Sequence, residues 1–379
     1  MKNTNTKKVI FLLVTTLFVL SSCNPEDGMD GAMGPQGLDG IQGPKGDSGE
    51  DAETPIISAY GKWEVTSGQF AMDDSRYVYI NEDNTIDILA EDALGFKSDM
   101  TTNISVTQDQ ITLGGGGEGG FAIHNYELEA DVMTIMPPSG EDPIILEKRQ
   151  NDDEAANWIK NIIVLTEGSA PWGRDVDITF DGTYILGYEE IERNILKIDP
   201  NNFTVAGAIP TINTANTVEV EKSDSPFKQL FQSNNGYNKF KSYIYSSNEL
   251  YYTSVELGSW IRGIASVEPG YLWASSSNAK ALYYYKSNGS LTPGEILETI
   301  ALDFQPNGID FQDGFLYITE RNRVHKCQTS PTFRAVETYK ITNNAVDGIA
   351  HDGTNFWLST GVWSGNDYTY KLLKVAMPN

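Results

Sequence analysis

The sequence predicts an all-β protein in which a small barrel or meander precedes a β-propeller of about five blades, with a short glycine-periodic stalk before both. From Pro55 onward, short β-rich runs alternate with Gly, Asn and Asp clusters, and no stretch keeps a helical period. In the second half, similar segments recur about every 43 residues, which is the length of one four-stranded propeller blade.

The amino terminus has the layout of an export signal. Lys2, Lys7 and Lys8 precede a mostly apolar run at 9–20. A helix of that length rises about 18 Å, too little for a hydrocarbon core about 30 Å thick. The following Leu-Ser-Ser-Cys23 resembles the lipobox of bacterial lipoproteins, which implies removal of residues 1–22 and acylation of Cys23. The alternative is an ordinary secretory signal with an unrelated cysteine.

The residues after Cys23 indicate where the chain resides. Segment 23–27, Cys-Asn-Pro-Glu-Asp, resembles the export signal of Bacteroidota surface lipoproteins, which implies a lipid-anchored position on the outer membrane, facing outward. Acylation of Cys23 would leave Cys327 without an intramolecular disulfide partner. The formal net charge of −25 excludes nucleic acid as a partner, because such a surface repels phosphates.

Residues 28–51 form the stalk, in which glycine occupies every third position from Gly28 to Gly49. Only glycine fits at the axis where three polyproline-like chains meet. The segment resembles the collagen-like regions of bacterial surface proteins, which implies a homotrimer held together through residues 28–49. The alternative is a flexible acidic spacer.

Residues 55–150 predict eight short strands joined as a meander. The start Gly61-Lys62-Trp63 resembles the small lipocalin-like domains of such lipoproteins, and the resemblance implies that Trp63 closes one end of a barrel. A filled interior is preferred here over a ligand-holding one. The glycines at 114–117 lack the context of a phosphate loop and predict a hairpin tip. The predicted strands are 61–66, 75–80, 85–89, 104–107, 110–113, 121–129, 132–136 and 143–148.

Residues 155–379 contain the repeat. Units begin at Arg262-Gly-Ile-Ala, Asn307-Gly-Ile-Asp and Asp347-Gly-Ile-Ala, and a degenerate copy aligns Asp177 with these glycines. The spacing leaves room for one diverged unit around 218–254, which gives five units. A strand at 161–165 is predicted to complete the last blade and close the ring.

One blade carries the most specific resemblance. Residues 306–324, PNGIDFQDGFLYITERNRV, closely resemble a blade of the NHL and gluconolactonase-like propellers. The resemblance implies a Ca²⁺ site in the channel that uses Asn307 and Asp347, with Asp175 or Asp177 in place of the expected Glu. The implied activity is that of a calcium-dependent lactonase, hydrolase or lyase, whereas the structural alternative is that Asn307 and Asp347 cap turns.

The sequence favours binding over catalysis. No catalytic set is evident, since His124, His325 and His351 lie far apart and suit surface or capping positions, and Cys327 falls inside a strand. Aromatic and basic residues in the blade-connecting turns predict a face that binds a protein or a glycan. The alternatives are tryptophans that pack between blades, or a purely structural trimeric spacer. The predicted face consists of Trp172, Arg174, Trp260, Arg262 and Trp363.

Overall fold

The computed structural model describes most of the chain after the stalk. The described residues are 58–378, except 73, 114–121, 138–139, 151–156, 174–175, 212–214, 234–237, 289–291, 343 and 364–367. The predicted signal sequence, Cys23, the stalk and the predicted hairpin tip therefore lie outside the described residues. Within the described part, no helix has the length and hydrophobicity that a membrane span requires.

The first folded region is a closed antiparallel barrel of eight strands. Strand β1 pairs with both β2 and β8, so the sheet has no free edge. Each strand pairs with its neighbour in sequence, as the predicted meander requires. The strands are β1 Gly61–Ser67, β2 Ser75–Ile80, β3 Thr85–Glu91, β4 Lys97–Val106, β5 Gln110–Leu113, β6 Ala122–Glu129, β7 Val132–Met136 and β8 Ile144–Arg149.

Apolar side chains that alternate along the strands fill the barrel. Trp63, Ile86, Ile88 and Met133 are fully buried and belong to one core cluster. The Trp63 indole Nε1 donates a hydrogen bond to the Ala59 carbonyl at 2.8 Å, which satisfies its one polar atom. Packing of this kind is typical of a filled small barrel.

The second folded region is a ring of five blades, each built on four antiparallel strands, which confirms the predicted propeller. The inner strands β11, β15, β19, β23 and β27 contact one another in that order, and β27 contacts β11 again. Blade 1 comprises β11 Thr179–Phe180, β12 Ile185–Glu189, β13 Asn194–Ile198 and β14 Val205–Pro210. Blade 2 comprises β15 Thr217–Val220, β16 Gln229–Ser233, β17 Phe240–Ile244 and β18 Leu250–Thr253. Blade 3 comprises β19 Ile261–Glu268, β20 Tyr271–Ser276, β21 Ala281–Lys286 and β22 Glu295–Ala301.

Blades 4 and 5 close the ring with segments from its beginning. Blade 4 comprises β23 Ile309–Gln312, β24 Phe315–Glu320, β25 Arg323–Gln328 and β26 Arg334–Lys340, with β9 Lys160–Asn161 parallel to β26. Blade 5 comprises β27 Ala345–His351, β28 Phe356–Trp363 and β29 Tyr368–Ala376. Its outer strand is β10 Ile163–Ser169, which pairs with β29 and comes before blade 1 in the sequence. The closing strand thus begins slightly later than the predicted 161–165.

The repeat glycines bring the inner strands together at the axis. A Cβ on Gly308 would lie 2.6 Å from the Gly348 Cα, and one on Gly348 would lie 2.5 Å from the Val176 carbonyl oxygen. A Cβ on Gly263 would lie 2.7 Å from the Ile309 nitrogen. A side chain does not fit at such distances, so glycine recurs in the repeat because neighbouring backbones meet there.

The barrel packs against the outer part of blade 4. The Ala335 amide donates to the Leu94 carbonyl at 2.8 Å, and Phe96 joins a core cluster made mainly of blade 3 and blade 4 side chains. Asp99 accepts from Lys340 at 2.6 Å and from Arg323 at 3.1 Å. Both regions lie within one compact unit, Ile56–Asn379.

Candidate functional site

The starts of the inner strands meet at one end of the ring, which we term the mouth face. The Asp177 amide donates to the Asn216 carbonyl at 2.8 Å, and the Gly308 amide donates to the Asp347 carbonyl at 2.9 Å. These bonds join neighbouring inner strands within two residues of where each strand begins. Residues that immediately precede the inner strands therefore share the mouth face, and turns that follow inner strands lie at the opposite end.

Trp260 and Arg262 form an aromatic and cationic pair on the mouth face, in which Trp260 is exposed and Arg262 is half-buried. The Trp260 side chain is 45% exposed, and the Arg262 guanidinium carbon lies 5.7 Å from its ring centroid. Trp260 adopts φ +62°, which is a left-handed conformation that a bulky residue rarely takes. Strained backbone of this kind persists only where its surroundings fix it, and it is common at binding sites.

The loop that presents Trp260 is fixed by the β20–β21 turn. The Trp260 carbonyl accepts from the Ser277 amide at 3.0 Å, and the Ser259 carbonyl accepts from the Ser276 hydroxyl at 2.6 Å. Gly258, at φ +83°, leaves no room for a Cβ, which would lie 2.8 Å from the Tyr283 hydroxyl oxygen. The indole is thus held in place before any ligand arrives.

The other three residues of the predicted binding face are not placed beside the Trp260–Arg262 pair in the part of the chain that the structure describes. Trp172 is 3% exposed, its Nε1 donates to the Ser359 hydroxyl at 2.9 Å, and its ring packs against Gly187. It therefore joins blades 1 and 5 and presents no binding surface, as the alternative of packing between blades anticipated. Trp363 ends β28 beyond the register position of Ala345, so its backbone lies at the mouth face. Arg174 lies outside the described residues.

Asn307 and Asp347 lie at the mouth face and connect blades there. The Asn307 side-chain amide donates to the Val346 carbonyl at 3.2 Å, and the Asn307 carbonyl accepts from the Ser275 hydroxyl at 2.7 Å. Asp175, the third predicted calcium ligand, lies outside the described residues. Within the described ranges, no group of three or more His, Cys, Asp and Glu side chains is arranged to hold a metal ion. The calcium site stays a prediction.

Asp177 fills the axis of the ring. It stands where three other blades have glycine, and its Oδ1 accepts from the amides of Ile178 at 3.0 Å and Ile349 at 3.2 Å. A Cβ on Gly308 would overlap this same oxygen, so the carboxyl reaches from blade 1 to blades 4 and 5. Burial raises the pKa of Asp177 well above its ordinary value, and its Oδ2 is buried without a hydrogen-bond partner among the described residues.

A second polar layer crosses the channel beyond Asp177. Lys222, in blade 2, donates to the Asp310 Oδ1 of blade 4 at 3.0 Å and also to the Phe311 carbonyl. Glu219 is 2% exposed and accepts from the Ser266 amide of blade 3 at 2.8 Å. Burial, with a contribution from Asp310, raises the pKa of Glu219 to about 8. These side chains occupy the channel.

The sequence indicated only part of this layer. Asp177 stood out because it aligns with the repeat glycines, but Glu219, Lys222 and Asp310 were missed. Asp310 lies two residues after Gly308, and Glu219 lies two residues after Thr217. Thr217 takes the glycine position in blade 2, because the Asn216 carbonyl accepts from the Asp177 amide as the Asp347 carbonyl accepts from the Gly308 amide. An acidic residue at the same place in two apolar strands was the available signal.

Two side chains elsewhere test the remaining sequence predictions. Cys327 is fully buried in β25, as expected, and burial raises the pKa of its thiol. His325, expected at the surface or in a cap, is instead 1% exposed. The His325 side chain contacts Phe96 of the barrel, and the centroids of the two aromatic rings are 4.9 Å apart. Burial results because the barrel covers this part of blade 4.

Comparisons with known proteins assign no family. No protein-family model matches the chain, and no curated protein matches it. Among solved structures, glutaminyl cyclase from Myxococcus xanthus matches with a TM-score of 0.43 and 11% identity over 57% of this chain and 98% of that one. Aldose sugar dehydrogenase from Streptomyces coelicolor matches with a TM-score of 0.36 and 11% identity over 57% and 98%. The WD40 propeller domain of Doa1 matches with a TM-score of 0.36 and 10% identity over 84% and 97%. We draw no functional conclusion from similarity at this level.

Proposed function

We propose that the chain is a lipid-anchored surface lipoprotein that binds a protein or glycan ligand through the mouth face, without catalysis. The observation that carries this proposal is Trp260, an exposed and prearranged indole on strained backbone, with the half-buried Arg262 guanidinium beside its ring. Tryptophan and arginine dominate the binding energy of many protein interfaces, and aromatic rings give large contact area at low entropic cost. A fixed indole beside a guanidinium suits such a contact.

The channel supports binding rather than the alternative of a channel enzyme. In a calcium-dependent lactonase, hydrolase or lyase, carboxylates would need to face substrate in the channel. Here Asp177 is 0% exposed and Glu219 is 2% exposed, and each accepts hydrogen bonds from backbone amides. Their positions suit a role in holding the inner strands together.

The binding proposal is tested with a matched pair of exposed aromatic residues. Phe227 is 71% exposed in the turn that follows β15, at the end of the ring opposite the mouth face. Binding of the labelled full-length protein would be measured on glycan panels and on cell surfaces, for wild type, Trp260→Ala and Phe227→Ala. We expect Trp260→Ala to weaken binding by about tenfold or more, as for an interface hot spot, and Phe227→Ala to leave it unchanged. Equal effects of the two changes would contradict the proposal.

Membrane attachment through Cys23 has its own test. We expect the wild-type chain to fractionate with the outer membrane and to carry acyl chains on Cys23, because two or more chains give stable anchoring. Cys23→Ala is expected to abolish the acylation seen by mass spectrometry. A Cys23→Ala protein that still fractionates with membranes would contradict the anchor.

The glycine-periodic stalk would determine whether the protein acts as a monomer or as a trimer. If residues 28–49 form a triple helix, sedimentation of the purified protein gives a trimer that becomes a monomer when those residues are deleted. A trimer would raise the apparent affinity for a surface that carries several ligands. A monomer in both forms would leave the segment as a tether.

A further inference from the structure

A cleft of about 460 Å³ lies between the barrel and blades 3 and 4 of the ring. Its volume falls within the range of small-molecule sites, roughly 300 to 1,000 Å³, and such sites are common where two folded regions meet. The barrel contributes the segment around Phe96, and the ring contributes Phe304 and the start of β25. The ring residues that line the cleft precede β23 or lie at the β24–β25 turn, so they are at the mouth-face end of the ring. Neither Trp260 nor Arg262 lines the cleft.

Aromatic rings form the base of the cleft. The Phe96 and Phe304 ring centroids are 4.9 Å apart in an edge-to-face arrangement, and the His325 ring lies 5.3 Å from Phe304. His325 is held by the Thr338 hydroxyl at 3.0 Å and by the Glu320 carboxylate at 3.4 Å. Burial lowers the pKa of His325, so its ring is neutral near pH 7 and adds no positive charge to the base.

Carboxylates line the cleft above these rings. Asp92 comes from the barrel loop, where its Oδ1 accepts from the amides of Leu94 and Phe96, each at 2.9 Å. Asp74 and Asp303 are exposed and close enough to Asp92 to interact with it electrostatically. Three acidic groups from both folded regions thus face one space.

The basic residues of the lining are occupied by other partners. Arg323 pairs with Asp99 at 3.1 Å and with Glu320 at 3.9 Å. The Lys97 ammonium lies 4.3 Å from the centroid of the Trp158 ring. The Trp158 ring leaves the charge of Lys97 in place, so the described part of the lining holds two cations, Lys97 and Arg323, against four carboxylates and has a net negative charge.

We propose that this cleft binds a small organic cation, an ammonium or guanidinium compound with an apolar part. The carboxylates would attract the charge, and the half-buried Phe304 ring, backed by the buried Phe96, would contact the apolar part and the cation. An anionic ligand is disfavoured by the carboxylates. A divalent metal ion is disfavoured because no metal-holding group of side chains occurs among the described residues.

The test uses benzylammonium as the probe, with benzyl alcohol and benzoate as neutral and anionic counterparts of similar size. Calorimetric titration of the full-length protein in detergent is expected to show one site for benzylammonium, weakened by added salt because exposed charges are screened. Benzyl alcohol and benzoate are expected to bind at least about tenfold more weakly, the loss expected for one charge-assisted contact. Equal binding of all three compounds, or no binding of benzylammonium, overturns the proposal.

Variants locate the binding in the cleft. Asp303→Asn and Asp92→Asn remove charge, and the side-chain carbonyl that Asp92→Asn retains can still accept the two loop amides. Each is expected to weaken benzylammonium binding by about tenfold. Glu256→Gln is the matched control, since it removes the same charge from a side chain that is 68% exposed in the segment after blade 2. Equal weakening in the Glu256→Gln protein, or none in either cleft variant, overturns the assignment. Near-ultraviolet circular dichroism checks that each variant is folded.

Discussion

Asp177 is the residue on which the ring centre depends. Its carboxyl replaces the hydrogen of a repeat glycine and accepts amide hydrogen bonds from its own strand and from β27. The alignment of the internal repeats showed that Asp177 takes the place of a glycine, but it did not show what the carboxyl group contacts. Whether an Asp at that position crosses the axis depends on how closely five inner strands approach, and that distance is a property of the assembled ring.

Glu219 predicts a specific pH dependence of stability. Its pKa is raised from 4.5 to about 8, so the folded chain holds this proton more tightly than the unfolded chain does. The resulting stabilisation is full below pH 4.5 and is lost as the pH rises through about 8. We expect Glu219→Gln, whose carbonyl still accepts the Ser266 amide, to flatten the pH dependence by up to about 1.4 kcal/mol per pH unit in this interval.

Denaturant unfolding at a series of pH values measures this effect. Glu141→Gln is the control, because Glu141 is exposed in the barrel loop between β7 and β8. Burial also raises the pKa of Asp177, so Asp177 makes the stability fall with rising pH in the same way. Some pH dependence of the free energy of unfolding should therefore remain in the Glu219→Gln protein. A variant with the wild-type slope would show that Glu219 does not hold the proton.

The close approach of the inner strands predicts that Gly→Ala substitutions at two positions will differ greatly in their effect on the free energy of unfolding. A Cβ on Gly308 would overlap the Asp177 Oδ1 and lie 2.6 Å from the Gly348 Cα, whereas one on Gly207 in β14 would meet its nearest atom, the Lys197 Cδ, at 4.0 Å. We expect Gly308→Ala to lower the free energy of unfolding by about 3 kcal/mol or more through overpacking. Gly207→Ala should change it by less than about 1 kcal/mol. Thermal and denaturant unfolding compare them, and similar values for the two variants would contradict the packing at the axis.

Most strands of the barrel were predictable, because they are short β-rich runs between clusters of Gly, Asn and Asp. Strand β4 was the main exception, since it begins at Lys97 and not at Ile104. Its first half, Lys-Ser-Asp-Met-Thr-Thr-Asn, has no apolar alternation, yet it pairs with β3 along its length. That half is held by a neighbouring strand and by contacts with the ring, which local sequence does not reveal.

The arrangement of the two folded regions was beyond sequence reasoning. The exposed or buried state of His325, and the cleft beside it, depends on where the barrel packs on blade 4. The contacts that fix this packing join residues far apart in the chain, such as Asp99 with Lys340 and Arg323. No periodicity marks them, because each is a single polar residue at a strand position that would suit solvent equally well.

Asp99 tests the connection between the barrel and the ring. The Lys340 and Arg323 contacts offset the effect of burial and lower the pKa of Asp99, so its stabilisation is present at neutral pH and is lost as the pH falls through the lowered value. We expect Asp99→Asn to lower the free energy of unfolding by about 1.5 to 3 kcal/mol at neutral pH, the range for hydrogen bonds to charged groups. Calorimetry would also show whether the barrel then unfolds separately.

An exposed ion pair provides the control for Asp99. Glu167 accepts from Lys371 at 2.8 Å on the outer side of blade 5, and its side chain is 54% exposed. Glu167→Gln should cost no more than about 1 kcal/mol, as surface pairs usually do. An equal loss of unfolding free energy in Asp99→Asn and Glu167→Gln would show that Asp99 contributes no more than an ordinary surface ion pair to the packing of the barrel on the ring.

Ligand recognition at the mouth face is most directly tested by hydroxyl-radical oxidation of the exposed aromatic side chains. The described tryptophan side chains at positions 63, 158, 172, 273 and 357 are at most 5% exposed, while Trp260 is 45% exposed. Mass spectrometry would follow oxidation at Trp260 in the free protein and in the protein bound to the cell surface or glycan that it recognises. We predict that binding strongly protects Trp260 and leaves Phe227 at its free rate. Unchanged oxidation of Trp260 on binding would contradict recognition through the mouth face.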